Sequence, residues 1–369
     1  MSQEKMLLFG LELSNKKWVV CFGEGSGTRR VEVAAGDQAG LLREVEKAKK
    51  KFGLPEDCRV ASGYEAGRDG FWIHRFLWRN GICNRVMDPA SIPVERRGRR
   101  KKTDKIDARK LLGLVVRREL HGEKRAFSEV RVPDEAAEEQ MRLGRERDRL
   151  KKESTMHRNR LKSLLVLHGV KSAKVEYCDF TALKDWQGRA LPGELVRELN
   201  REQERLTVVR RQLKEIEKVQ GERLKQPKTA AEKKGATMAT LRGLGKQSSW
   251  MVAHEYFGWR TFANGKEVGG ASGLVGTPYD SGESRKEQGI SKAGNRRIRR
   301  VMVELAWLWL RHQPNSALSR WFRERFEGQG KRLKRIGIVA LARKLLVALW
   351  RFVEFGQAPE GAVLGGAIR

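Results

Sequence analysis

The chain has 369 residues, 77 of them Lys or Arg against 46 Asp or Glu, and carries a net charge of +31 at pH 7. That length accommodates about two to three domains. Solubility does not require so large an excess of positive charge, which points instead to nucleic acid as partner, through counterion release on phosphate contact. No apolar run approaches the roughly 20 residues that span a bilayer, and the opening MSQEKMLLFG lacks the core of a secretory signal. A cytoplasmic location without membrane contact is therefore expected. The four cysteines, Cys21, Cys58, Cys83 and Cys178, form no CxxC, and the six histidines form no HxxxH. They support neither a zinc site nor a disulfide framework.

In chain order, Met6–Leu13 and Lys17–Phe22 are apolar, β-leaning runs separated by the turn SNKK, and Arg29–Ala34 continues as a third strand. Ala39–Phe52 has helical periodicity, Arg59–Tyr64 reads as a short strand, Gly70–Asn80 as a helix and Ile82–Met87 as a fifth strand. DPAS ends that strand. A helix is predicted from about Thr103 to Leu114, with Thr103 as its cap. The order βββαβαβα is that of a ribonuclease H-like domain, in which catalytic groups collect at the ends of the central strands.

Within VERRGRRKKTDKIDARK, two carboxylates, Asp104 and Asp107, follow a dense basic run. Acidic groups inside a phosphate-binding patch weaken it unless they have another job, and holding Mg²⁺ against a phosphodiester is such a job. Three residues apart, they share one helix face. Glu12 lies near the end of the first strand and Glu65 directly after the fourth. The topology therefore directs four carboxylates to one sheet edge. Arg96, Arg97, Arg99, Arg100, Lys101 and Lys102 are read as nucleic-acid contacts. So are Arg285, Lys286, Lys292, Arg296 and Arg297 further along.

From Asp134 to His168 and again over Glu194–Lys225 the chain is charged and helical, with Met141, Leu150 and Leu161 among the few apolar points. Gly188, Pro192 and Gly193 interrupt between them. Two such helices read as an antiparallel hairpin or coiled-coil arm, or as a solvated spacer, since the heptads are imperfect. From about Thr237, TLRGLGKQSSWMVAHEYFG sets two glycines between helical segments, the pattern of a helix-hairpin-helix offering backbone N–H groups to phosphate. A Gly-, Ser- and Lys/Arg-rich stretch follows. Trp307, Trp309 and Leu310 recur at near-helical spacing and are assigned to a core, and IGIVALARKLLVALWRFV is a last apolar helix.

Together, LFGLELSNKKW, SGYEAGRDG, KKTDKIDARKL, LRGLGKQSS and GLVGTPYDSGESRKEQGISKAGNRRIRR resemble the IS110 family of insertion-sequence transposases, kin of pilin-gene DNA invertases, over essentially the whole chain. The resemblance implies three parts. Residues 1–125 would form an α/β RuvC-like domain with a DEDD set of metal-binding carboxylates, 126–230 a helical coiled-coil linker, and 231–369 a mainly α transposase domain with a serine nucleophile. Carried over residue by residue, Glu12 falls where the family has Asp, Glu65 on its Glu, Asp104 and Asp107 on its paired Asp, and Ser281 of YDSG on the nucleophile. The resemblance further implies Mg²⁺ as cofactor, donor and target DNA as substrates, a bridge RNA as guide, and assembly as a dimer or tetramer. Two other readings of the residues stay open: a metal-dependent RuvC-like nuclease that leaves Ser281 idle, and a non-catalytic RNA- or DNA-binding protein.

Overall fold

The computed structural model describes residues 5–93, 104–171, 174–281 and 284–365. The chain divides into two compact units, Met1–Val132 and Pro133–Arg369.

The first unit is a mixed five-stranded sheet with helices on both faces. Strands β1 (Leu7–Leu13), β2 (Lys17–Gly23) and β3 (Thr28–Ala34) form an antiparallel meander; β4 (Val60–Glu65) and β5 (Ile82–Met87) run parallel to β1, giving the order β3-β2-β1-β4-β5. Parallel neighbours need crossovers, supplied by α1 (Gln38–Lys51) and α2 (Trp72–Arg79). Asp37 caps α1 by accepting from the Gly40 N–H. Side chains alternate across β1: Leu7, Phe9 and Leu11 join Leu41, Val45, Ile73 and Leu77 on one face, whereas Leu8 packs on the other with Ala108, Leu111, Leu112 and Val115. Each such fully buried side chain contributes about 1.5–3 kcal/mol.

The second face is covered by α3 (Asp104–Glu119). It runs five residues past the expected end, because Val115 continues the buried stripe and Glu119 is held by Arg59 (2.9 Å) and Arg85 (3.3 Å). The expected Thr103 cap lies outside the described residues, as does the run Arg96 to Lys102.

In the second unit, α4 (Glu135–Val166) and α5 (Gly193–Lys225) lie antiparallel. The direction follows from their cross-links: Arg147 meets Glu217 at 2.6 Å, His157 meets Glu202 at 2.7 Å and Arg160 meets Glu198 at 2.6 Å, so one sequence rises as the other falls. The helices pack on each other through Leu150, Val209 and Ile216, and the intervening loop folds Val175, Phe180 and Leu191 onto Leu161, Leu165, Leu199 and Leu206. The pair is thus not a solvated spacer.

The remainder is helical apart from one hairpin. α6 (Ala230–Ala239) opens with a capping box between Thr229 and Glu232, and a glycine-containing turn leads to α7 (Lys246–Val252), which runs on through a π-turn at Ala253–Phe257. α8 (Gly265–Ser272), the strands β6 (Gly276–Ser281) and β7 (Ser284–Ile290), α9 (Arg296–His312), α10 (Ala317–Phe326) and α11 (Lys331–Phe355) follow. Their core includes Met238, Tyr256, Phe257, Trp309, Leu345 and Leu349. Trp307 departs from the expected core: Trp309 is buried and Leu310 packs against the core, but Trp307 is 44% exposed, with the Lys334 ammonium 5.8 Å from its ring centre. Two positions apart on a helix point about 200° apart, so Trp307 and Trp309 cannot face one core together. Among the described residues no helix is long and apolar enough to cross a membrane.

Helix and sheet meet most closely in the first unit at Gly10. A Cβ there would stand 2.4 Å from the Leu112 nitrogen and 2.7 Å from the Ala108 oxygen, so α3 lies on β1 only because position 10 has no side chain. Gly10→Ala should therefore cost about 3 kcal/mol in urea unfolding, the upper range for overpacking, since backbone must move. Gly113→Ala, on the same helix with open space around it, should instead stabilise by about 0.5–1 kcal/mol. Equal effects of the two would contradict this packing.

Candidate active site

The sheet brings Glu12 and Glu65 to adjacent strand ends. Leu11 of β1 pairs with Tyr64 of β4 in parallel register, and each glutamate is the next residue. Alternation puts Glu12 on the face of Leu8 and Gly10, and Glu65 on the face of Ala61 and Gly63, where Val115 of α3 comes within 3.0 Å of an ideal Cβ on Gly63. Both glutamates thus lie on the face that α3 covers. Asp107 precedes Ala108, the residue that abuts Gly10, so the first turn of α3 starts beside the same strand end.

Glu65 is exposed, and Glu12 and Asp107 are half-buried. The Oδ2 of Asp107 is buried without a hydrogen-bond partner. Such an atom costs about 1–3 kcal/mol unless a water or ion meets it. Tyr64, next to Glu65 in sequence but on the opposite face of the sheet, is buried and donates to the Gly70 carbonyl at 3.1 Å; burial pushes its hydroxyl pKa upward. Asp104 opens α3 one turn before Ala108, with its side chain outside the described set. Among the described residues no three His, Cys, Asp or Glu side chains gather closely enough to hold a metal ion.

Ser281 closes β6. The β6–β7 ladder pairs Tyr279 with Lys286, Asp280 with Arg285 and finally Ser281 with Ser284, so the serine stands at the tip end of an antiparallel hairpin, not in an irregular Gly-rich loop. Sequence patterning missed this hairpin because TPYDS and SRKEQGI lack apolar alternation. Pro278, which cannot donate, sits where the register shifts between Gly276 and Pro278. At the base, Gly273 (φ +69°) lets the end of α8 meet the chain after β7: a Cβ there would stand 1.9 Å from the Ala293 oxygen.

The downstream cations divide by their partners. Arg285 and Lys286 lie on β7, with their side chains outside the described set. Lys292 is exposed at φ +57°, and Arg296 is exposed at the first position of α9. The helix dipole disfavours a cation there. Arg297 is committed within the protein, reaching Asp148 at 2.9 Å and Glu255 at 3.8 Å; Arg300 also reaches Asp148, at 3.0 Å. Glu255, buried in the π-turn, further takes Arg145 at 2.8 Å, a bond that raises the Arg145 pKa. Burial, with Arg296 nearby, lowers that of Arg299, which donates to the Ser272 and Ala293 carbonyls. Sequence reading missed Asp148 and Glu255. Their signal was weak: single acids among many, 149 and 110 residues from Arg297 and Arg145 respectively.

Removing Asp148 would leave two guanidiniums without their shared acceptor. Asp148→Ala should cost about 3 kcal/mol in denaturant unfolding, the lower end for breaking a buried ion pair because both arginines are partly exposed. Arg300→Ala alone should cost under about 1 kcal/mol, and a smaller loss for Asp148→Ala than for Arg300→Ala would contradict this assignment.

Comparison with known proteins places the chain among transposases. The transposase domain of the IS116/IS110/IS902 family matches residues 235–321, the segment holding the hairpin and α9. A putative transposase of Sinorhizobium fredii (strain NBRC 101917 / NGR234), y4rJ, is 38% identical, across 97% of this chain and 94% of its own. A second from that strain, y4qE, is 27% identical across 85% of this chain and 74% of its own. The transposase for insertion sequence element IS1328 of Yersinia enterocolitica is 25% identical across 68% of this chain and 71% of its own. The chain belongs to the IS110 family of transposases.

Proposed function

We propose that this transposase cuts and rejoins DNA through a phosphoserine link formed by Ser281, with Glu12, Glu65, Asp104 and Asp107 binding Mg²⁺ on a RuvC-like sheet. The observation that carries the reading is the unpartnered, buried Oδ2 of Asp107 on the helix turn beside two glutamate-bearing strand ends. Oxygen-only donors suit Mg²⁺. When bound, the ion supplies positive charge against the oxygens of a phosphodiester under attack. Glu12 is one methylene longer than the Asp expected at its position, which retunes the reach of the set.

The chain's own groups supply the rest. The Ser281 oxygen bonds to phosphorus as one deoxyribose oxygen leaves, and the energy of the broken bond is kept in the new ester. Rejoining reverses the step with a different deoxyribose hydroxyl, so no nucleotide hydrolysis is required. Arg285, Lys286, Lys292 and Arg296 hold the phosphates near the hairpin, and the arginines and lysines from Arg96 to Lys102 hold nucleic acid near the carboxylates. The family resemblance supports a bridge RNA as guide, a helical arm between an N-terminal carboxylate domain and a C-terminal serine domain, and assembly as a dimer or tetramer. The charge of +31 suits binding both nucleic acids.

The test is a DNA reaction stopped with denaturant. Wild-type protein should yield a covalent protein–DNA species. Ser281→Ala should yield none, while its stability changes by no more than about 0.5 kcal/mol, since only one hydroxyl is removed. Strand cleavage at normal rate by Ser281→Ala would favour a nuclease that uses water, and full activity of Asp104→Ala would defeat the carboxylate reading.

A further inference from the structure

A groove of about 1200 Å³ runs between α8, the base of the β6–β7 hairpin, α10 and α11. Six cations line it, Lys266, Lys292, Arg335, Arg343, Lys344 and Arg351, against one carboxylate among its described lining residues, Glu360. That carboxylate lies 3.7 Å from Arg320. Among the described residues none of the six cations is ion-paired; Lys344 rests over the Trp321 ring at 4.7 Å.

The cations are ordered. α11 presents Arg335, Val339, Arg343, Val347 and Arg351 to the groove at strict four-residue intervals, so arginine and valine alternate turn by turn. At 1.5 Å per residue, successive arginines are about 12 Å apart and the outer two about 24 Å. Between them, Val339, Ala340, Val347 and Ala348 make an apolar floor. At the hairpin end stands Lys292, held at φ +57°, where a lysine is strained and a glycine would not be.

We propose that this groove binds a single strand of DNA, with the arginines on its phosphates and the valine and alanine turns against its sugars and bases. Charge complementarity requires a polyanion. The apolar floor selects a separated strand, because a duplex hides the base faces that would cover it. A span of about 24 Å matches the scale of grooves that track a backbone over roughly 4 to 16 nucleotides. DNA, rather than RNA, follows from the family's action on DNA and from the groove's continuity with the hairpin. The strain at Lys292 then has a use: its ammonium meets the strand where the groove reaches the hairpin. None of this depends on Ser281 acting as nucleophile.

The test uses the full chain and uncleaved, fluorescently labelled oligonucleotides of about 12 nucleotides: oligo-dT, oligo-rU and a DNA duplex, titrated by anisotropy over a range of salt. Changing Arg335→Gln, Arg343→Gln and Arg351→Gln together should weaken oligo-dT at least about tenfold. It should also reduce the log–log salt slope by about 2, near 0.7 for each of three lost contacts. Duplex affinity should change less than about threefold. Ala340→Trp, which fills the floor without changing charge, should also weaken oligo-dT selectively. Lys292→Gly should weaken it without lowering the melting temperature, and Ser281→Ala should bind as wild type does. An unchanged slope for oligo-dT, an equal loss for the duplex, tighter wild-type binding of oligo-rU, or full oligo-dT binding by Ala340→Trp would overturn the proposal. Covalent chemistry failing while these bindings hold would count against Ser281 alone.

Discussion

The absent side chain of Gly10 is the constraint on which the N-terminal site depends. With no Cβ between them, the backbone of α3 at Ala108 and Leu112 comes directly onto the middle of β1. The placement of Asp107 follows from that approach. The strands' parallel register fixes Glu12 beside Glu65, and the seating of α3 fixes which of its turns reaches that edge. A side chain at position 10 would displace the helix turn that carries Asp107. Packing in the core therefore sets the geometry of polar groups at the rim, as is usual where function is carried on strand ends and helix starts.

In the second unit, electrostatics does comparable work. A chain with so many cations must spend some of them internally, and it does so on a few buried acids. Glu202 takes His157 and Arg205, Asp148 takes Arg297 and Arg300, and Glu255 takes Arg145 and Arg297. These pairs tie α4 to α5, to the π-turn and to α9. The cations without acidic partners are consequently the informative ones. Lys292, Arg296 and the arginine ladder of α11 face outward beside the hairpin that carries Ser281.

How much could be read from the sequence follows from which forces wrote each segment. The five strands and first two helices were legible to within about two residues because burial on both faces imposed apolar runs on β1, β2 and β4, and clean turns bound their neighbours. The two long helices and their antiparallel pairing were legible as one of two readings; the choice against a solvated spacer was not, since few apolar points and many cross-helix ion pairs hold the pair together. The hairpin at Gly276–Ile290 was not seen: its strands have no apolar face, and their ladder is held by the backbone. Near-helical spacing among aliphatic residues assigns Trp307 to the core with Trp309, whereas the angle between positions two apart puts it outside. The last helix read as simply apolar, yet its basic alternation shows only once the groove is drawn. Glu12, Glu65 and the Asp104–Asp107 spacing were visible as strand-end and helix-face acids. Ser281 as nucleophile came from family resemblance, since a serine in such a stretch has no local signature of reactivity.

The most direct test of the carboxylate site is a count of bound divalent ions, with Mn²⁺ as the probe in place of Mg²⁺. Electron paramagnetic resonance of the full chain should find a tight Mn²⁺ that Mg²⁺ displaces and that Asp107→Asn or Glu65→Gln loses, without a fall in thermal stability before metal is added. Tight Mn²⁺ persisting unchanged in both variants would contradict the account that Gly10 and α3 build a metal site at these strand ends.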